Sequence, residues 1–312
     1  MRKPIKSRPI LSAVFSAQTL SGGTRFREAL TKIAKQDSTI EINSEPMEER
    51  AFVSAMSATH LEEIRGRLLN EYGLLVNISD LKVIYLETIR KKAEAEGKYI
   101  RQTGGSGNYG HCKLRVEPNE PGKGYEFVND IKGGVVPKEY IKPIDQGVQV
   151  ALELGILAGY PIVDVKVTLY DGSYHEVDSN EMAFNFAGSI AFKEAARKAS
   201  PVLLEPVMAV EVTVPEEHMG RIIGDINSRR GRIEVMEAMA GSHLIRAIVP
   251  LSELLGSRSR GLAEYSMEFA GYEEVPYRGG FDGREPGVPA ILPKVPNQGR
   301  GSAAARLESE TE

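Results

Sequence analysis

Two stretches of this chain, residues 9–84 and 206–275, share one order of apolar patterns, and that repetition narrows the folds open to it. In the first, Ile10, Leu11, Val14 and Phe15 read as a strand, Gly22-Gly23 breaks the chain, and Phe26, Leu30, Ile33 and Ala34 recur at helical spacing. Ile40 and Ile42 alternate with polar residues, Glu45-Pro46 turns, and Phe52, Val53 and Met56 supply a third strand. Leu61, Ile64, Leu68 and Leu69 share a helical face, Gly73 suits a C-cap, and 74–84 carries the last strand.

The second stretch repeats the order. Val207 to Val214 is a strand ended by Pro215, and Met219, Ile222, Ile223 and Ile226 mark an amphipathic helix. Ile233, Val235 and Met236 form a strand, and Gly241-Ser242 turns into another over Leu244 to Val249. Pro250 opens a short helix at Leu251 to Leu255, and Tyr265 to Tyr272 closes the unit. Each stretch is therefore expected to be a split β-α-β, ferredoxin-like unit, a sheet with two helices on one face. Units of about 70 residues hold only on the order of 5 kcal/mol, so each should lean on a neighbour.

The middle, 85–205, follows another pattern. A strand from Val116 to Val128 is interrupted by a hairpin-like excursion at Pro118 to Gly124, and a helix is expected from about Pro137 to Leu154. Ile162 to Tyr170 alternates, with Ile162, Asp164, Lys166 and Thr168 on one side and Val163, Val165, Val167 and Leu169 on the other. The polar loop DGSYHEVDS leads to a helix over Glu181 to Lys198, with Asp178 as N-cap and Glu181 three residues on. The class is α+β, three consecutive α/β-sandwich domains.

The ends differ from the rest. Residues 1–8 hold Arg2, Lys3, Lys6 and Arg8 and no acid, which reads as a solvated basic leader or an arm touching phosphate. Residues 277–312 carry six glycines, four prolines and no apolar period, the pattern of a disordered tail. No run of eighteen apolar residues spans a membrane, and a single cysteine, Cys112, forbids an internal disulfide; a reducing, cytoplasmic setting is expected. With 39 basic and 43 acidic residues the net charge is −4, so any contact with nucleic acid must come from local patches.

No catalytic constellation emerges. There is no GxxxxGK[ST] to cradle a nucleotide, no dinucleotide GxGxxG between strand and helix, no HExxH and no nucleophile elbow. His60, His111, His175, His218 and His243 are scattered, so neither metal nor cofactor is expected. Three other features carry more. In GGSGNYGH, Gly104, Gly105, Ser106, Gly107, Asn108, Tyr109 and Gly110 offer close backbone approach to a crowded polar groove, or a mobile hairpin end. In DGSYHEVDS, Tyr174 and His175 could stack on unpaired bases, or merely decorate a strand-to-helix connection. The acids Asp171, Glu176 and Asp178 beside His175 oppose tight phosphate docking there. In GDINSRRGRI, Arg229, Arg230 and Arg232 cluster with Arg221 near a helix C-terminus; they complement the helix dipole or form a patch for RNA phosphates.

Residues 162–184, IVDVKVTLYDGSYHEVDSNEMAF, and 103–118, TGGSGNYGHCKLRVEP, closely resemble the fourth domain of bacterial elongation factor G. GDINSRRGRIEVME and YSMEFAGYEEVP resemble its fifth domain, and 9–90, ending in YLETIR, resembles its third more loosely. The resemblance implies a third-domain-like unit at 9–84, a fourth-domain-like unit with a ribosomal protein S5 domain 2-like fold at 85–205, and a fifth-domain-like unit at 206–276. It implies an arm that reaches the small-subunit decoding region of the ribosome in translocation, with Gly104–Gly110 and Gly172–Asp178 as its tip loops and His175 at the tip histidine position. It also implies contacts of the fifth domain with large-subunit rRNA and an adjacent ribosomal protein.

Departures accompany the likeness. Ser106 stands where the family usually shows Arg, and Asn108 where it shows Gln. Ala55, Met56, Ser57, Ala58, Thr59 and His60 replace Gly-Met-Gly-Glu-Leu-His, and LLGSRSRGLAEYS lacks several residues of the family's loop. Tetracycline-protection factors share the architecture but lack DGSYHEVDS and rank lower. No GTPase or second-domain pattern precedes the third-domain-like stretch, so the expectation is a ribosome-binding, non-enzymatic relative. Its rivals are one half of a split translocase, with GTP hydrolysed by a separately made GTPase-domain protein, and a truncated copy kept as a protein-interaction module.

Overall fold

The computed structural model describes residues 8–18, 23–43, 50–101, 107–255 and 264–276. The expectations placed on the leader, on Gly22, on Glu45-Pro46, on Gly104, Gly105 and Ser106, on the 256–263 loop and on 277–312 lie outside the described residues. In chain order the elements are β1 (Leu11–Ala17), α1 (Gly23–Gln36), β2 (Glu41–Asn43), β3 (Arg50–Ala55), α2 (Ala58–Tyr72), β4 (Val76–Ile78), β5 (Lys82–Val83) and β6 (Leu86–Ile89). Then come β7 (Ala93–Arg101), β8 (Asn108–Pro118), β9 (Glu126–Asn129), α3 (Lys138–Leu154), β10 (Val165–Ser173) and α4 (Glu181–Lys198). The last are β11 (Pro201–Pro215), α5 (Met219–Ser228), β12 (Arg232–Met239), β13 (Ser242–Pro250), α6 (Leu251–Leu254) and β14 (Glu264–Glu274). They build an α+β protein with three mixed or antiparallel sheets, and the described residues divide into two units: those of 8–86 with 119–124 and 204–274, and those of 87–118 with 125–203 and 275–276.

The first unit holds two sheets, ordered β2-β3-β1-β4 and β12-β13-β11-β14. Phe15, Phe26, Leu30, Ile33, Leu61, Ile64 and Leu68 are buried in one cluster that also takes in Val210, Val212, Val214, Ile226 and Ile245. The two stretches thus share a core, the support that their small size demands. The helix α2 shows why its ends fall where they do: Ser57 caps His60 N at 3.1 Å, and Gly73 at φ 66° closes it with bonds to Leu68 and Leu69 carbonyls. The phenol of Tyr272 donates to Ile84 O at 3.0 Å, and burial pushes its ionisation well above the ordinary range.

The second unit has one four-stranded sheet, β7-β8-β10-β9, with α3 and α4 packed on it. β7 and β8 form a long antiparallel hairpin from Ala93↔Val116 to Arg101↔Asn108. β8 and β10 run antiparallel, whereas β9 joins β10 in parallel. The excursion after Pro118 therefore does not return the chain to β8; β9 crosses to the far side of β10, a pairing that local pattern cannot reveal. The alternation expected from Ile162 also begins late: Asp164 takes φ 55°, Ile162 and Val163 are both buried, and the strand starts at Val165. The two helices touch backbone to backbone, since a Cβ on Gly147 would sit 1.9 Å from Asn185 O and one on Gly188 2.5 Å from Ile144 O. Glu87 is fully buried, and its carboxylate accepts from the backbone N–H groups of Ile156 (2.6 Å), Leu157 (2.9 Å), Ala158 (2.8 Å) and Tyr160 (3.1 Å). Those four donors satisfy the charge and pin the connection after α3.

Candidate nucleic-acid interface

The end of the β7–β8 hairpin and the connection from β10 to α4 meet in the second unit. A backbone bond makes the join, from Tyr109 N to Asp178 O at 2.8 Å, and a second, from Ser179 N to His175 O at 3.1 Å, closes the connection on itself. Side chains complete it. Gly107 N donates to Asp178 Oδ1 at 2.8 Å, Asn180 Nδ2 to Asn108 Oδ1 at 2.7 Å, and Tyr140 Oη to Ser179 O at 3.1 Å. The N-cap of α4 is Asn180, whose side chain accepts from Ala183 N at 2.9 Å, and not Asp178 as the sequence suggested. Asp178 is drawn instead to Gly107, a partner 71 residues away. Gly110 lets the hairpin lie against α4, because a Cβ there would stand 2.4 Å from Ala183 O.

Asn108, Tyr109, Tyr174 and His175 are thereby brought into one locality, with the rings of Tyr109 and His175 6.3 Å apart. His175 is 56% exposed and Tyr174 45%, so both offer their rings to a partner. His175 Nδ1 lies 3.4 and 3.3 Å from the N–H groups of Val177 and Asp178 and 3.4 Å from Asp178 Oδ2. His175 Nε2 has no partner among the described residues. The acids of the loop are mostly engaged: Asp171 accepts from Lys113 Nζ at 2.8 Å, and that contact holds its carboxyl below the usual range. Glu176 alone of the three acids is exposed with no partner among the described residues. The repulsion expected around His175 is reduced accordingly.

Sequence reading passed over a third element. Tyr109 Oη lies 2.8 Å from Ser173 Oγ, which lies 2.7 Å from His111 Nδ1; His111 Nε2 in turn stands 3.6 Å from Glu96 Oε2. The signal was available in the spacing: Tyr109 and His111 sit two apart on one strand and so share a face. Their partner on β10 depends on a register shift between Leu169 and Asp171. Cys112, next to His111, faces the interior, and burial pushes its thiol up to about 12, so it is no nucleophile.

The arginines of the first unit are differently placed. Arg230, at φ 57°, lays its guanidinium on the buried Glu205 through two bonds of 2.5 and 2.8 Å and on Glu253 at 2.8 Å. Those bonds, Glu205 first, raise its already high ionisation further, and burial together with Glu205 raises that of Tyr85. Arg229 grips Asp225 at 2.9 and 3.0 Å, and Arg232 contacts Glu273 at 3.1 Å and Glu234 at 3.4 Å. Arg221 is exposed with no partner among the described residues. No helix among the described residues is long and apolar enough to cross a membrane.

Comparison with known proteins agrees with this layout. A model of elongation factor G, domain IV, matches residues 81–200, and a model of the elongation factor G C-terminus matches 202–278; neither match is to a GTPase domain. A crystal structure of a Thermus thermophilus protein is similar at 38% identity and a TM-score of 0.64, over 88% of this chain and 42% of that one. The chain thus spans under half the length of that protein. It belongs to the elongation factor G family, whose domain IV and C-terminal domain it carries over residues 81–278.

Proposed function

We propose that this protein is a translation-factor relative that docks on the ribosome, with the joined loops of domain IV as its contact for the small-subunit decoding region and the C-terminal domain as its contact for large-subunit rRNA and a neighbouring ribosomal protein. The observation that carries the reading is the convergence of Asn108, Tyr109, Tyr174 and His175 on one locality held together by backbone bonds. The exposed rings of Tyr174 and His175 on a fixed frame suit unpaired bases, with Asn108 and Tyr109 half-buried beside them. The glycines Gly104, Gly105 and Gly107 with Ser106 belong to the same loop in sequence. Of these four arginines, Arg221 has no partner among the described residues and is available to phosphate, while Arg229, Arg230 and Arg232 hold carboxylates of their own unit.

The 312 residues contain no P-loop, so any GTP hydrolysis linked to this docking would take place outside them. The protein acts in the cytoplasm, where ribosomes are, and needs no cofactor of its own. Co-sedimentation with purified ribosomes tests the reading. Pelleting that weakens steeply as salt rises is the expected result, because phosphate contacts release counterions. A protein that stays in the supernatant at every ionic strength removes the proposal. Purification from its own cell extract, with GTP turnover assayed on what co-purifies, decides whether a GTPase chain travels with it.

A further inference from the structure

We infer that His111 is a positioning residue for Tyr109: through Ser173 it sets whether the Tyr109 hydroxyl offers a hydrogen or a lone pair to nucleic acid at the end of domain IV. The inference rests on the ribosome-docking reading above and adds to it two residues, His111 and Ser173, and a direction of hydrogen bonding.

The argument is one of hydrogen counting. Ser173 Oγ stands within hydrogen-bond distance of both Tyr109 Oη (2.8 Å) and His111 Nδ1 (2.7 Å). A serine hydroxyl has one hydrogen to donate, so it cannot donate to both at once, and the three groups align head to tail. The Glu96 carboxylate, 3.6 Å from His111 Nε2, favours a hydrogen on that nitrogen. In the neutral ring Nδ1 is then an acceptor: Tyr109 donates to Ser173, and Ser173 donates to His111. When His111 gains a proton from solvent, Nδ1 becomes a donor and Ser173 no longer spends its hydrogen there. With an acceptor oxygen of nucleic acid drawing the tyrosine hydrogen outward, the row reverses: His111 donates to Ser173, and Ser173 donates to Tyr109. Phosphate and base-carbonyl oxygens accept hydrogens, so the reversed row suits nucleic acid better.

The surroundings permit the change. His111 is only partly exposed, and Ser173 and Tyr109 are half-buried, which limits competition from water. Charged groups face it from each neighbouring strand: Glu96 and its register partner Lys98 on β7, Lys113 on its own β8, and Asp171 on β10, already paired with Lys113. His175 and Asp178 lie in the adjoining loop, with the His175 ring beside that of Tyr109. Imidazole is the side chain whose charge ordinarily changes between pH 5 and 8, and a polyanion close by would draw the proton on.

Two measurements on the intact chain test this. Nitrogen-15 imidazole shifts of His111 in the free protein above pH 8 should show hydrogen on Nε2 and none on Nδ1; hydrogen on Nδ1 overturns the relay. Binding to purified ribosomes, followed from pH 8 to pH 6 at constant ionic strength, should tighten about two- to tenfold through this hydroxyl, the worth of one hydrogen bond. Tyr109→Phe, Ser173→Ala and His111→Gln should each flatten that part of the profile, whatever they do to affinity at pH 8, while His175 is retained in all of them. A slope in Tyr109→Phe equal to that of the parent overturns the inference. If ribosomes are bound at no pH, the docking reading falls, and the nitrogen shifts still decide the direction of the row on their own.

Discussion

The joined loops of domain IV and the arginine cluster of the C-terminal domain look alike in sequence, both polar, glycine-containing and placed where elements end. They are opposites in structure. In the loops the backbone and Asp178 satisfy one another, leaving His175 56% exposed and its Nε2 uncommitted among the described residues. In the cluster most side chains are consumed, with Arg230 19% and Glu205 3% exposed around a pair of hydrogen bonds from guanidinium to carboxylate. A surplus of polar side chains marks a binding surface only when the frame has been completed without them.

The sharpest way to break this contrast is Arg230→Ala. It leaves Glu205 charged and buried without its partner, a change that costs about 3–5 kcal/mol in comparable sites; partial exposure of Arg230 puts the expected loss near the lower end of that range. Urea unfolding should show it, and a loss below about 1 kcal/mol would mean that the pair holds nothing together. Next in size is His175→Ala. Ribosome affinity should fall by the equivalent of about 1–3 kcal/mol, roughly five- to 150-fold, if the ring stacks on a base. Unfolding should move by less than about 0.5 kcal/mol, as for an exposed side chain. A stability loss as large as the binding loss would make His175 part of the frame.

Smaller again is Arg221→Ala, which should leave unfolding unchanged and lower the salt slope of ribosome binding by about 1. An unchanged slope assigns that cation to solvent. Least is the effect of acid on Asp171. Its folded carboxyl is depressed by Lys113, so the stability it contributes is complete above the ordinary carboxylate range and is lost as pH falls through the lowered folded value. The stability difference between the parent and Asp171→Asn should therefore shrink below about pH 4. A difference that persists undiminished in acid assigns the effect to shape rather than charge.

Periodicity carried much of the element reading. The bounds of α4, Glu181–Lys198, are those that its apolar spacing and the following Pro201 suggested, because both act within a few residues. What escaped was set at a distance. Asp178 and Asn180 are equally good caps by residue type, and only the Gly107 amide, 71 residues away, decides between them. β9 is short and pairs in parallel, so nothing local announces its neighbour. Arg230 read as a cation available to phosphate because its acids, Glu205 and Glu253, stand more than twenty residues off in sequence. Glu87 sits in an apolar strand, LETI, and an acid in such company could have been read as one with buried partners.

The bonds from Tyr109 N to Asp178 O and from Ser179 N to His175 O involve main-chain atoms alone. Those two fastenings do not depend on which residues occupy 174, 176 and 177. Form and chemistry are thereby uncoupled in these loops, so their outward residues can be exchanged, by evolution or in a randomised library, while the grip beneath them stays the same.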